Sequence, residues 1–519
     1  MSQEIEPRAV HPLSESMAAV VPTGQTLGEP LRVETAGGCV HVAWDPEAPV
    51  TPLGQLVFFA QFLEVSGHFA ALCADVPLQR TSPNAPALRD VIGTAVLGVL
   101  CGQKRYAHLA ALRFDPVNPG LLGMQKVASE DSVRRFFGAL EPGAAARWLS
   151  GHLRQCWGGL LTSPWVLDVD TTIKPIYGHQ EGATKGYNPQ KPGRPSHAYH
   201  TYFIGRARLC LDVEVEEGRH HAAKHGHAGL WRLLAELPPA LRPVAVRGDL
   251  AYGEENFLRQ CEEHGQGYLF KLRQSPKVKD LIRALERQSG WSDAGQGFEA
   301  VDGRLKLKAW TQERRVVVLR RPTARASTPA AVATPLLEAG GLRVEPAVAY
   351  EFMVLVTSLE LPAESLAQMY RDRADVENCF DELKNQWGWG GFTTADLGRS
   401  RSMAKLVALV YNWWSVFVGL VEPDRHAEAV TSRPSLLVGV ARVVRSARQT
   451  TLLITSTHAQ APEKRERLSA VSAFLTALAH AAEQLTRPER WRRILSAAFA
   501  RFFEGELIPP LPNGLPSSA

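Results

Sequence analysis

Apolar residues recur in two patterns along this chain. Over 53–149 they recur every three or four residues, which is the spacing of amphipathic helices. From 165 onward, short apolar runs predict strands, and helical patterns separate the later ones. The predicted strands lie at 165–170, 199–207, 209–215, 243–246, 267–272 and 350–357, and the intervening helices lie at about 228–237 and 252–264. Three strands in succession, followed by alternating helices and strands, predict a mixed sheet with helices on both faces.

These patterns divide the chain into five predicted regions. A mixed α/β core at 151–290 and 346–422 is interrupted by a β-rich insertion at 291–345. An all-helical region at 53–150 precedes the core, and a second one at 423–519 follows it. Pro, Gly and Glu are frequent in 1–52, which predicts a loosely ordered acidic leader.

The segment YRDRADVENCFDELK, from Tyr370 to Lys384, predicts one helix, since it contains neither Gly nor Pro. On a helix of 3.6 residues per turn, Tyr370, Arg373, Glu377 and Lys384 fall within about 60° of one another, beside an apolar stripe. A carboxylate between two cations and a phenol can bind a metal ion and a phosphodiester. The alternative is an ordinary amphipathic helix whose charges are solvated.

Composition and charge limit the classes of protein to which the chain can belong. It has 519 residues, 45% of them hydrophobic, and a net charge of +5. Residues 1–52 contain two Arg and seven acids, a net charge of −5, so the remaining residues carry +10, which suits a polyanionic partner. The seven cysteines form no CxxC pair, no signal peptide is predicted, and the apolar run at 406–421 is short for a membrane span. We therefore expect a soluble cytoplasmic protein with reduced thiols and no membrane partner.

Three acidic residues occupy positions that a mixed sheet would bring together. Asp170 closes the first strand, Asp249 follows the fourth, and Glu377 lies on the late helix. Strand ends at one edge of such a sheet converge on its ligand site. Carboxylates without His or Cys partners prefer hard cations, so we expect Mg²⁺, with Mn²⁺ able to substitute. Two such ions can activate a water or a hydroxyl group and stabilise the leaving oxygen of a phosphodiester.

These positions resemble a known family. The late helix reads Y-x2-R-x3-E-x6-K, which resembles the signature of bacterial insertion-sequence transposases of the DDE class. Asp170, followed by two threonines, resembles their first acidic motif, and VRGDLAYGEENFLRQCEEHG around Asp249 resembles the second. The segment GYNPQKPGRPSHAYH (186–200) is similar to the insertion sequence 1380-like branch. The resemblance covers about 85–420 and implies a ribonuclease-H-like core in which Asp170, Asp249 and Glu377 are the metal-binding catalytic triad.

The charged stripe of the late helix also predicts DNA contacts. Arg373 and Lys384 would bind backbone phosphates, and Tyr370 could donate a hydrogen bond to one of them. The alternative is a local ion-pair network around Glu377.

Two further acids leave the composition of the triad open. Asp168 lies two residues before Asp170, so both side chains point to the same face of the strand. Geometry alone would allow either; the two threonines after Asp170 favour that residue and leave Asp168 as a neighbour of the site. Asp381 lies one turn after Glu377 and is the fallback for the third acid.

Other basic and aromatic residues are candidate DNA contacts, each with a structural alternative. A basic loop that could clamp the end of the element, or simply be solvated, contains Lys185, Lys191, Arg194 and His197. Trp310 could stack a base, as the resemblance implies for an aromatic residue in this region, or it could be part of the core. Arg134 and Arg135 lie on a helix capped by Ser129 that resembles a helix-turn-helix reading helix; an ordinary bundle helix is the alternative.

Several functional classes lack their motif in this sequence. It contains no P-loop, HExxH or GxSxG, so we expect no nucleotide cofactor and neither zinc-protease nor serine chemistry. The histidines at 220, 221, 225 and 227 lack the Cys or carboxylate partners of a typical zinc site.

The function implied by the resemblance is DNA transposition of the cut-and-paste type. Such a protein would bind terminal inverted repeats in double-stranded DNA, cleave a strand at each end and transfer the 3′-hydroxyl to target DNA. Two ends must be held together, so we expect a homodimer on DNA, with helices at 470–485 and 491–503 as candidates for pairing. The alternatives are a nuclease of the same fold that stops after hydrolysis, and a catalytically silent DNA-binding regulator.

Overall fold

The structure is a computed structural model that describes residues 31–42, 49–79, 82, 84–162, 164–188, 191–219, 222–323, 349–457 and 460–502. These residues belong to two units. One unit is Leu160–Phe380, and the other combines the described parts of Met1–Gly159 and Asp381–Pro510. The helical regions before and after the core therefore form a single unit, which resumes at 381 rather than at the expected boundary of 423.

The described residues contain strands and helices that we number in chain order. The strands are β1 (Leu31–Thr35), β2 (Gly38–Val42), β3 (Val50–Thr51), β4 (Val166–Pro175), β5 (Thr184–Lys185), β6 (Pro195–Ile204), β7 (Leu209–Glu217), β8 (Ala245–Gly248), β9 (Tyr268–Lys271), β10 (Ser292–Asp293), β11 (Glu299–Leu305), β12 (Arg314–Pro322), β13 (Tyr350–Thr357), β14 (Ala441–Ser446) and β15 (Gln449–Ile454). The α-helices are α1 (Leu56–Ser66), α2 (His68–Ala74), α3 (Leu88–Leu100), α4 (Asn118–Leu121), α5 (Glu130–Ala139), α6 (Pro142–Trp157), α7 (Ala222–Ala235), α8 (Glu255–Glu263), α9 (Pro276–Glu286), α10 (Ala363–Arg371), α11 (Ala374–Asn385), α12 (Leu397–Val421), α13 (Ala429–Leu436), α14 (Ala461–His480) and α15 (Arg487–Ala498).

Among the described residues, the unit Leu160–Phe380 is built on a ten-stranded mixed sheet. The strand order is β10-β11-β12-β13-β9-β8-β4-β6, and both β5 and β7 pair with β6. Strands β4, β6 and β7 form an antiparallel meander, and β8 and β9 continue the sheet in parallel with β4. Helices α7 and α8 connect β7 to β8 and β8 to β9. This topology confirms the predicted mixed α/β class with a ribonuclease-H-like core.

The central strands are apolar because helices cover both faces of the sheet. In β8, Ala245 and Val246 are both buried, although neighbouring residues on a strand point to opposite faces. Strands β6 and β7 meet at Arg208, as predicted, and this residue adopts the left-handed conformation with a φ of 52°.

The expected β-rich insertion extends this sheet. Strand β12 pairs antiparallel with β13, and β13 pairs antiparallel with β9. Without β13, the backbone groups along one edge of β9 would be unpaired, so these strands complete the hydrogen bonding of the core. The part of the predicted insertion at 324–345 lies outside the described residues.

Helix α12 is the central helix of the second unit. Nearly all of its 25 residues are buried, and it packs against α3, α6 and α15. It is also long and apolar enough to cross a membrane, but 89% of its most apolar window is buried inside the protein. The bent pair α1 and α2 meets the same criterion only if the two helices are counted as one span. Such burial is consistent with the core helix of a soluble protein.

The terminal regions contain strands that the sequence patterns did not predict. Within 1–52, β1 and β2 form a hairpin, while 1–30 and 43–48 lie outside the described residues. The region 423–519 is not helical throughout, because β14 and β15 form a hairpin whose first strand also pairs with β3. Strand β3 comes from the predicted leader, so this small sheet joins segments that are distant in sequence. Propensity within either segment could not reveal that pairing.

Candidate active site

Asp170 and Asp249 are brought together by the pairing of β4 with β8. In the parallel register of these strands, Asp168 is opposite Arg247 and Val169 is opposite Gly248. Strand β8 ends at Gly248, so Asp249 follows directly beside Asp170. Strand β4 does not end at Asp170, as the sequence suggested, but continues to Pro175 because β6 pairs with it over that length. The site therefore opens where β8 ends.

Local hydrogen bonds orient both aspartates. Oδ1 of Asp170 accepts from the amide of Thr171 at 2.6 Å, and Oδ1 of Asp249 accepts from the amide of Ala251 at 2.9 Å. The Thr171 hydroxyl lies 3.1 Å from the Tyr252 hydroxyl, which links the strand of Asp170 to the loop after Asp249. These contacts limit the freedom of the two carboxylates.

The predicted helix from Tyr370 to Lys384 is interrupted at residues 372–373. Helix α10 ends at Arg371 and α11 begins at Ala374. The two helices pack against different parts of the unit. Tyr370 joins a buried cluster that includes Leu269 and Leu355, whereas the ring of Phe380 lies 5.1 Å from that of Phe203, edge to face. The turn allows both contacts, and no Gly or Pro marks it in the sequence.

Arg373 lies at this turn and bridges two of the three acids. Its Nη2 donates to Oδ2 of Asp170, and its Nη1 donates to Oε1 of Glu377 at 2.5 Å. The Arg373 side chain is 8% exposed, that of Asp170 is 19% exposed, and that of Glu377 is 64% exposed. The structure thus joins Glu377 to Asp170 through a buried guanidinium rather than through adjacent carboxylates.

Burial and neighbouring charges both shift the pKa values of groups in the site. Burial raises the pKa of Asp170 to about 7, Arg373 lowers that pKa, and Asp249 and Glu377 raise it. The pKa of the Tyr370 phenol is likewise raised by burial, and Arg373 opposes this shift while the same three acids add to it. Tyr370 is therefore a neutral hydrogen-bonding group near the carboxylates at neutral pH.

The side chains of Asp170, Asp249 and Glu377 are of a type that suits a hard divalent cation. They offer carboxylate oxygens, and a cation would stabilise the ionised form of Asp170, whose pKa is raised first by burial and then by the charges of Asp249 and Glu377. In the described part of the chain, no three His, Cys, Asp or Glu side chains converge closely enough to hold a metal ion. Arg373 bridges Asp170 and Glu377, so these two carboxylates are paired with a guanidinium in this structure.

Asp168 is part of a buried ion pair that motif reading did not identify. Arg247 donates to Asp168 through Nε at 2.6 Å and Nη2 at 2.8 Å, and both side chains are almost fully buried. The remaining Nη1 donates to the carbonyl of Met369 in α10. Asp168 is therefore already paired with a guanidinium of its own. The spacing of Arg247, two residues before Asp249, was the only sequence signal.

The remaining residues of the late helix have separate environments. Lys384 lies two turns after Glu377, roughly 10 Å farther along α11, and is partly exposed. Asp381 is exposed, and its Oδ1 accepts a hydrogen bond from the side-chain Nδ2 of Asn385 at 2.6 Å.

Three of the four residues predicted as a basic DNA-binding loop remain candidates, and the fourth is buried. Lys191 and Arg194 lie over the ring of Tyr177, at 4.9 and 4.8 Å from its centroid, and Tyr177 is 65% exposed. Lys185 is exposed on β5. His197, in contrast, is buried on β6, with its Nε2 2.9 Å from the carbonyl oxygen of Glu181. The structure does not support His197 as a DNA contact, because its imidazole is part of the core.

The structure also shows the surroundings of the other predicted DNA contacts, Trp310 and the two arginines of α5. Trp310 is only 4% exposed, and the guanidinium of Arg314 lies 5.1 Å from its ring centroid, so the structure favours a packing role.

Arg134 pairs with Asp131 at 3.2 Å on α5, and Arg135 is exposed on the same helix. The cap predicted at Ser129 is present. His220 and His221, and the side chains of His225 and His227, lie outside the described residues.

Comparison with known proteins identifies the family. A family model described as Transposase DDE domain group 1 matches residues 56–475. A search of curated proteins found no match. Among solved structures, the chain is similar to a piggyBac transposase, seen by cryo-EM in its synaptic complex with hairpin DNA, with 11% sequence identity and a TM-score of 0.37, over 90% of this chain and 89% of that chain. Because the family model covers most of its length, this chain belongs to the DDE transposase domain family, group 1.

Proposed function

We propose that this chain is a metal-dependent DNA transposase of the cut-and-paste type. It would bind the terminal inverted repeats of its element, hydrolyse a strand at each end and transfer the freed 3′-hydroxyl to target DNA. The observation that carries this proposal is the grouping of Asp170, Asp249, Arg373 and Glu377 at the point where β8 ends. Membership of the family adds DNA transposition as the expected reaction.

Each residue of the site has a proposed role. Asp170, Asp249 and Glu377 would hold Mg²⁺, or Mn²⁺ in its place, as two ions. When bound, these ions would stabilise charge on the attacking and leaving oxygens of the phosphodiester. Arg373 would bind a phosphate oxygen beside the carboxylates, and the neutral phenol of Tyr370 would donate to another.

The partners follow from the same proposal. Double-stranded DNA would contact Lys384, the exposed loop of Lys185, Lys191 and Arg194, and the exposed side of α5 with Arg134 and Arg135. Two copies would hold the two ends, with α14 and α15 as candidates for pairing. The protein would act in the bacterial cytoplasm, at the nucleoid. Its place in the insertion sequence 1380-like branch stays a prediction from its motifs.

A cleavage assay tests the catalytic proposal. Purified protein is incubated with Mg²⁺ and a labelled duplex that carries the repeats found beside the coding region. Asp170→Asn, Asp249→Asn and Glu377→Gln should each abolish cleavage while DNA binding survives. Asp280→Asn is the matched control, because this exposed acid lies in a pair with Arg283 on α9. Cleavage by the Asp249→Asn protein would overturn the assignment.

A second assay with pre-cut ends separates the related functions. Joining of the 3′-ends to a target plasmid indicates a transposase, and cleavage without joining indicates a nuclease of the same fold. Binding without either reaction, in Mg²⁺ and in Mn²⁺, would indicate a DNA-binding regulator.

A further inference from the structure

Arg373 is a buried cation that forms ion pairs with two of the three acids of the site. Its guanidinium contacts Asp170 and Glu377 at once, and the side chain is 8% exposed. The Nε of Arg373 is buried and donates to no acceptor among the described residues. The guanidinium thus neutralises the two acids while one of its own donors stays unsatisfied, which is unfavourable in a buried site.

The charge balance of the site depends on this one residue. Asp168 is neutralised separately by Arg247, so that pair adds no net charge. Asp170, Asp249 and Glu377 contribute three negative charges when ionised, and Arg373 is the cation that pairs directly with two of them. Withdrawing the guanidinium would leave Asp170 and Glu377 without their shared partner, with Asp249 directly beside Asp170, and unpaired carboxylates are the ligands that a hard divalent cation prefers.

Asp170 and Glu377 differ in how readily they could release Arg373. Asp170 lies within β4 and is held by the amide of Thr171, whereas Glu377 is 64% exposed in the first turn of α11. A phosphate group approaching from solvent would offer the guanidinium several acceptor oxygens in a forked geometry. It could also provide an acceptor for Nε.

We propose, on the basis of the proposed function, that Arg373 is a built-in counter-ion that blocks the metal site until a DNA phosphate draws it away. Phosphate binding would then uncover the carboxylates, and metal binding would release the guanidinium for the phosphate. Because such coupling is reciprocal, DNA should tighten metal binding by the same factor by which metal tightens DNA binding. The protein without DNA would therefore hold divalent cations weakly.

The first test measures Mn²⁺ binding to the DNA-free protein by electron paramagnetic resonance and calorimetry. Arg373→Ala should bind Mn²⁺ about 10-fold more tightly than wild type, within the usual range of coupling between sites. Arg371→Ala is the matched control, since Arg371 lies two residues away and donates to the carbonyl of Ala294 and not to the three acids. Adding Asp249→Asn to Arg373→Ala should restore weak binding and so locate the gained affinity at this site. Equal or weaker binding by folded Arg373→Ala would overturn the proposal.

A second measurement needs no variant. The Mn²⁺ affinity of wild-type protein is compared with and without a duplex carrying the terminal repeats, and tightening of about 10-fold is expected. If the duplex binds but leaves the Mn²⁺ affinity unchanged, the proposal is wrong. Both measurements are independent of cleavage, so a protein without transposase activity could still show the effect, and an active transposase could lack it.

Discussion

The guanidinium of Arg247 holds the buried carboxylate of Asp168 through two hydrogen bonds of 2.6 and 2.8 Å. Asp168 lies two positions before Asp170, and Arg247 lies two positions before Asp249, the two aspartates of the proposed site. The third donor group of Arg247 reaches the carbonyl of Met369, eight residues before Glu377. One buried side chain therefore connects β4 and β8 to α10, the helix that precedes the one carrying Glu377.

Arg247→Ala should destabilise the protein strongly. It leaves the Asp168 carboxylate buried without its partner, so the free energy of unfolding should fall by about 3–5 kcal/mol. Urea denaturation followed by circular dichroism measures the change.

The double variant Asp168→Leu with Arg247→Met is the control for this pair. Removing both charges avoids an unpaired buried ion, so most of the stability should return. The double variant should still cleave DNA more slowly than wild type, because the carbonyl of Met369 has lost its hydrogen bond from Arg247 of β8. A double variant as unstable as Arg247→Ala would show that the paired charges themselves are not the cause.

Asp170→Asn should change how stability depends on pH. The folded pKa of Asp170 is raised from its ordinary value of 3.8 to about 7, so its contribution to stability is complete below the ordinary value and is lost as pH rises through about 7. An amide avoids this loss. The free energy of unfolding of Asp170→Asn relative to wild type should therefore increase from about pH 4 to about pH 7 and level off above that. Urea titrations across this range measure the effect, with Asp280→Asn as the control for the loss of an exposed carboxylate. A constant difference in unfolding free energy between Asp170→Asn and wild type across the range would contradict the prediction.

Lys191→Ala combined with Arg194→Ala should weaken binding to DNA in a salt-dependent way. If both cations contact phosphates, the slope of log affinity against log salt should decrease by about 2. Fluorescence anisotropy with a mixed-sequence duplex at several salt concentrations measures this slope. Arg259→Ala combined with Arg283→Ala removes the same charge from exposed helix pairs and should leave the slope unchanged.

Trp310→Ala should act on stability and not selectively on DNA. The indole is buried beneath Arg314, so truncation should cost about 3–5 kcal/mol of unfolding free energy, whereas Trp310→Phe should cost less. Thermal unfolding and cleavage by the folded protein are compared. Full stability together with lost processing of DNA ends would restore the base-stacking role.

Asp381→Asn should leave cleavage within about 2-fold of wild type, a difference well under 1 kcal/mol in activation free energy. Its carboxylate is exposed and accepts a hydrogen bond from Asn385, while Glu377 is the acid that contacts Arg373. The comparison with Glu377→Gln in the same assay decides which acid belongs to the triad. Loss of cleavage in Asp381→Asn alone would exchange their roles.

The sequence was sufficient to predict the element order of the core. The apolar runs identified β7 and β13 closely, whereas β6 begins four residues before the predicted strand and ends three residues before the predicted end. The left-handed residue that leads into β7 is Arg208, the position predicted for the connection. The two aspartates could be placed because they lie on, or directly after, strands whose order follows from right-handed connections. These features depend on local periodicity and on general rules of topology.

The sequence alone therefore determined the mixed sheet, the three candidate acids and the family motifs. Tertiary structure decided that Tyr370–Lys384 is broken at Arg373, that His197 and Trp310 are buried, and that Asp168 belongs to Arg247. The contacts of Asp168 with Arg247 and of Asp170 with Arg373 join residues 79 and 203 positions apart. Periodicity shows which face of an element is apolar, but packing of distant elements selects the partner of each charge.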